Sequence, residues 1–194
     1  FNFLHRNCLC DDRLGLYLAI TVAGTELAII QYLWQNVNML KIKIICLGKL
    51  KEKAYVELEK EHLKRLSPFA KVKVVELSEV SYRSEDAAVK AKQKEADLIV
   101  KQLPRDGIVI LMEEKGQERD SVAFAEFLER IGGLGQEIVF VLGSGIGLHE
   151  SLKEYSNYNI SLSKLTFPHN FARILLEEQI YRACTIINRK AYHK

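Results

Sequence analysis

Two stretches of this sequence combine residue types and spacings that suit a small-molecule ligand. Residues 137 to 142 read Glu-Ile-Val-Phe-Val-Leu and run straight into Gly143-Ser144-Gly145-Ile146-Gly147. Glycines in that place let backbone amides come close to a bound group without Cβ obstruction. The spacing G-x-G-x-G is neither the dinucleotide fingerprint G-x-G-x-x-G nor the G-x-S-x-G nucleophile elbow, and it lacks the lysine of a phosphate loop. On spacing alone, a tight turn that needs positive φ accounts for it equally well.

The second stretch is Ser161-Leu162-Ser163-Lys164-Leu165-Thr166-Phe167-Pro168-His169. It mixes hydroxyls, a cation and apolar side chains, and Pro168 stiffens the backbone ahead of a helix, where its missing N–H does no harm. His169 suits a capping or packing role, and Arg173, four residues on, shares its helix face. Toward the C-terminus Arg173, Arg182, Arg189, Lys190 and Lys194 concentrate positive charge where phosphates could dock. Tyr192 and His193 stand among them and could move a proton, although most chain ends simply fray.

Alternating strand and helix patterns must position these residues, and they imply an α/β fold with a mostly parallel sheet flanked by helices. Strands are expected at 41–47, 72–77, 107–112, 137–142 and near 159–162. Helices are expected at 52–66, at 84–103 behind an N-cap Ser84, from Asp120 or Ser121 to about Ile131, and from about Asn170 to Ile187. The Lys- and Glu-rich run in the second helix reads as a solvated face. Three loops then leave the C-terminal ends of strands, after Met112, at Gly143–Gly147 and at Leu162–Phe167, which is where open α/β sheets bind ligands.

The 194 residues suit one domain with an appendage, and 48% hydrophobic against 27% charged residues is the balance of a globular chain rather than a disordered one. A formal charge of +3 does not announce a nucleic-acid binder. Residues 1–38 do not match the rest of the chain and are expected to lie outside the fold, leaving 39–194 as the domain. Their apolar run 14–34 is interrupted by Glu26 and Gln31, and neither a membrane anchor nor a signal peptide is expected from it. His5, Cys8 and Cys10 lack a distant fourth ligand, so no metal is expected. Cys46 and Cys184 lie in apolar segments, and the usage of cysteine points to a reducing, cytoplasmic setting.

KIKIICLGKLKEK near residue 41, VFVLGSGIGLH at 139–149, SLSKLTFPHNFARILLEEQIYRA at 161–183 and the terminal AYHK together resemble the ribosomal RNA large subunit methyltransferase H family throughout 39–194. The resemblance implies a SPOUT methyltransferase fold with a deep C-terminal trefoil knot, a homodimer, and S-adenosylmethionine as cofactor. It implies a 23S rRNA substrate in the ribosome, methylated at N3 of the pseudouridine conventionally numbered 1915. Carried over, the cofactor contacts fall on Met112, Gly143, Leu162, Ser163, Lys164, Leu165, Thr166 and Phe167. His169, Arg173, Arg182 and Lys194 become RNA contacts, and His193 and Tyr192 become candidates for proton transfer. The family pattern that the resemblance implies usually has Gly where this chain has Ser144 and Leu where it has Met112. A catalytically silent RNA- or ribosome-binding protein of the same fold is the main rival; a nucleotide-binding oxidoreductase is opposed by the glycine spacing.

Overall fold

A computed structural model describes residues 39–192, and its elements follow the alternation read from the sequence. In chain order they are β1 (Leu40–Leu47), α1 (Lys53–Leu66), β2 (Ala70–Leu77), α2 (Glu85–Val100), β3 (Gly107–Glu118), α3 (Ser121–Gly132), β4 (Glu137–Leu142), a 3-10 helix (Glu150–Tyr155), β5 (Tyr158–Ser161) and α4 (His169–Ile187). The five strands form one sheet in the order β2-β1-β4-β3-β5, and every pairing is parallel. Parallel neighbours need crossovers, which α1, α2 and α3 supply.

Strand side chains alternate between two buried layers, so the central strands are apolar on both faces. Ile42, Ile44, Phe140, Leu142, Ile110 and Met112 point one way, into a layer built with α3, α4 and the end of α1. Ile45, Leu47, Val109, Leu111, Val139 and Val141 point the other way, against Ala96 and Ile99 of α2 and Leu152 of the 3-10 helix. The helix starts are capped as their sequences suggest. Ser84 accepts from Ala87 N–H, and Asp120 accepts from Ala123 N–H at 2.8 Å.

β3 runs six residues past the apolar segment that defines it in the sequence. Its register against β5 is irregular: Ile160 faces both Met112 and Gln117, so residues 113–116 arch out of the ladder. Gly116 lies at the crossing, where an added Cβ would come within 2.5 Å of the Ile160 backbone. Only glycine fits there.

Among the described residues no helix is long and apolar enough to cross a membrane, and no group of three His, Cys, Asp or Glu side chains is placed to hold a metal ion. The apolar run 14–34 and the His5, Cys8, Cys10 group lie outside the described residues.

Candidate active site

Register brings the strand ends to one level. Met112 lies opposite Leu142 of β4 on one side and opposite Ile160 of β5 on the other. The chain therefore leaves β4 at Gly143 and β5 at Ser161 on the edge where β3 presents Met112. Residues 162–167 continue from that edge to the start of α4.

The glycine turn is closed by Gly147 N–H donating to Ser144 O at 2.9 Å, with Gly147 at φ +77°. A Cβ on Gly143 would meet the Gly147 carbonyl carbon at 2.9 Å, so this glycine serves a close backbone approach within the turn. Ser144 Oγ donates to Glu95 Oε2 at 2.8 Å, while Glu95 Oε1 accepts from Val80 N–H at 2.9 Å. Glu95 is 2% exposed, in the helix whose charges read as a solvated face. Its spacing held a signal: Ala91, Glu95 and Ile99 fall four residues apart on one buried stripe.

The hydroxyls of the second stretch shape its own backbone. Ser161 Oγ donates to Ser163 O at 2.7 Å and accepts from Ser163 N–H, and Ser163 Oγ accepts from Leu165 N–H at 3.0 Å. Such local bonds hold short polar side chains in turns rather than helices. Lys164 reaches Glu118 at 3.7 Å from an exposed position. Leu165 is 72% exposed, Thr166 is exposed, and Phe167 is half-buried with its ring edge-on to Phe171 at 5.7 Å.

The residues expected to face RNA divide three ways. His169 pairs with Glu79 at 3.2 Å beside Gly48, which places it at the C-terminal edge of β1 and β2. Arg173 does not lie on an RNA-facing surface, contrary to expectation. It is 3% exposed, with its guanidinium bonded to Glu59 of α1 and, at 2.8 Å, to Glu76 of β2. Those carboxylates leave it no free face for a phosphate. Glu177, wholly buried, approaches Arg173 Nε at 3.8 Å, and burial together with Glu59 pushes its carboxyl up to about 9, so it carries a proton at neutral pH. Burial also pushes the Cys46 and Cys184 thiols up to about 12, which leaves both unreactive.

Arg182 is half-buried, bonds Glu178 at 2.6 Å and lies over the Tyr192 ring at 5.0 Å. Tyr192 Oη donates to Glu178 at 3.3 Å, and its ring meets Tyr181 edge-on. Tyr181 in turn touches Phe69, which precedes β2, so this cluster lies toward the opposite end of the sheet from Gly143. His193 and Lys194 lie outside the described residues.

The fold is a parallel α/β sheet with ligand-type loops at one edge and a C-terminal helix packed over it, and the chain belongs to the SPOUT methyltransferases. The family model described as "Predicted SPOUT methyltransferase" matches residues 40–193. Within that class the chain is similar to proteins named ribosomal RNA large subunit methyltransferase H. One from Caldicellulosiruptor saccharolyticus is 42% identical over 156 residues, 79% of this chain and 99% of that protein. One from Desulforamulus reducens is 41% identical over 160 residues, 80% of this chain and all of that protein. One from Ruminiclostridium cellulolyticum is 38% identical over the same length, with the same coverage.

Proposed function

We propose that this protein uses S-adenosylmethionine to methylate 23S rRNA of the large ribosomal subunit at N3 of pseudouridine 1915. The observation that carries the reading is the shared level of Met112, Gly143 and the chain leaving Ile160, which gathers two loops and the 113–116 arch of β3 at one sheet edge. Near end-to-end coverage of relatives named for rRNA methylation supports the substrate class. The same coverage, beginning at residue 40, supports 39–194 as the functional unit, carrying the family's knot.

When bound, S-adenosylmethionine supplies an activated methyl group, so the protein's work is alignment and exclusion of water. Backbone groups of Gly143 and of 162–167 would hold the polar atoms of the cofactor, with Met112, Leu162, Leu165 and Phe167 as apolar walls. The loops suit such a ligand: the Ser161 and Ser163 hydroxyls are committed to their own turns, and Leu165 offers uncovered apolar surface. A cavity of about 200 Å³ between β5, α3 and α4 borders this place through Ile160, Ser161 and Leu162. We assign the cofactor to the strand-end loops, because the cavity's other walls are Arg119 and Asp120 ahead of α3 and, from α3 and α4, Phe124, Leu175 and Gln179.

N3 of the acceptor must lose a proton, which His193 would accept, with Tyr192 assisting by hydrogen bonding. Tyr192 sits at the level of Glu178, nine residues or roughly 14 Å down α4 from His169 at 1.5 Å per residue. One subunit's tail is thereby held away from its own loops, which favours a homodimer in which the tail serves the partner's cofactor. His169, Arg182 and Lys194 would meet RNA phosphates from either side of that site, with Arg182 exchanging its Glu178 partner for one of them.

The test offers purified protein and labelled S-adenosylmethionine to intact ribosomes and to bare rRNA, followed by mapping of the methylated nucleotide. Label at a single pseudouridine of 23S rRNA supports the reading. Absence of donor binding by calorimetry, with the protein folded and bound to ribosomes, would leave the silent binder in its place.

A further inference from the structure

The buried carboxylate of Glu95 has no part in the proposed methyl transfer, yet it joins two of the loops at the active edge. Burying a carboxylate is costly unless hydrogen bonds compensate it. Glu95 receives two: one from Val80 N–H, in the segment between β2 and α2, and one from Ser144 Oγ, in the glycine turn. Each oxygen serves a different loop. Ser144 Oγ also lies 3.5 Å from Ile146 N–H, inside the turn that Gly147 N–H closes on Ser144 O. The Nζ of Lys92, three residues before Glu95, lies 3.9 Å from where a Cβ on Gly147 would stand, so a second α2 side chain reaches the turn. The Ser144 hydroxyl is therefore the turn's attachment point to α2.

Backbone groups bind a ligand well only where they are already fixed in the right place, because ordering them on binding subtracts from affinity. We propose that Glu95 is a positioning residue for the methyl-donor site: through Ser144 and Val80 it clamps the glycine turn and the β2–α2 segment in their binding arrangement. This rests on the methyltransferase reading. It makes α2, a helix with no residue at the ligand, a determinant of donor affinity.

The test compares Ser144→Ala, Glu95→Ala and Glu95→Gln with the wild type by calorimetric titration of S-adenosylmethionine, by donor KM and kcat, and by amide hydrogen exchange across 143–147. Ser144→Ala and Glu95→Ala are expected to weaken donor binding about tenfold, the scale of one hydrogen bond to a charged group. They should raise KM more than they lower kcat and speed exchange in the turn. Glu95→Gln should recover most of the affinity, since its amide accepts from Val80 N–H and donates to Ser144 Oγ. Donor affinity and exchange rates equal to wild type in a folded Ser144→Ala protein would overturn the clamp. Ser144 lies outside the core, so that variant decides the matter even where Glu95→Ala does not fold. A wild type that binds no donor would instead overturn the functional reading, while exchange in Ser144→Ala still reports on the clamp by itself.

Discussion

Arg173 and Arg182 sit nine residues apart on α4, and their surroundings give them opposite weights. Arg173, itself buried, pairs with partly exposed Glu59 and the more exposed Glu76, so Arg173→Ala leaves two carboxylates without their cation and is expected to cost about 3 kcal/mol in urea unfolding, the low end for breaking a buried pair. Arg182 pairs with Glu178 near the surface, and Arg182→Ala is expected to cost under about 1 kcal/mol while weakening RNA binding and its salt dependence. Equal losses of stability would contradict this division. Glu177 supplies a pH signature. Its carboxyl titrates near 9 in the fold against an ordinary value of 4.5, so folding takes up a proton; its contribution is complete below about 4.5 and is lost as pH rises toward 9. Urea midpoints measured from about pH 5 to about pH 8.5 should fall in the wild type and stay flatter in Glu177→Gln, whose amide keeps the volume without a charge to expose.

At the scale of elements, strand register determines which loops meet. β3 carries most of this burden, because it pairs with β4 and β5 and then arches over residues 113–116 before rejoining β5. Gly116→Ala would push a methyl group into the Ile160 backbone and is expected to lower the melting temperature by at least about 5 °C and to disturb donor binding. Gly145→Ala, where an added Cβ meets nothing within 4 Å, is the matched control and should change the melting temperature by under about 2 °C. Thermal scans of the two variants side by side provide the check. The extension of β3 was not legible in Glu113-Glu114-Lys115-Gly116-Gln117-Glu118, because a charged segment at a sheet edge has no apolar alternation to announce it.

At the scale of the molecule, the distance from Tyr192 to the strand-end loops argues for a shared active site. Two proteins, one lacking residues 191–194 and one carrying Gly143→Val, should each be inactive in isolation. Coexpressed, they should regain activity, because a mixed dimer unites an intact pocket with an intact tail. Failure of the mixture to exceed either parent, with mixed dimers verified by mass spectrometry, would place both functions in one subunit.

Apolar periodicity and turn chemistry placed β1, β4 and α3 within a residue or so, since buried parallel strands and capped helices are written locally as Val-Phe-Val-Leu runs and as Asp120 ahead of Ser121. The sequence also placed the candidate loops, because glycine density, the Ser-x-Ser repeat and Pro168 are local backbone instructions. Tertiary structure alone decided which charges are spent. Arg173 and Glu95 sit in segments as polar as any surface helix, and nothing within ten residues of either names Glu59, Glu76, Val80 or Ser144 as its partner. Burial and pairing of a charge depend on what the fold lays against it across 15 to 114 residues of chain, and short-range patterns carry no record of that distance.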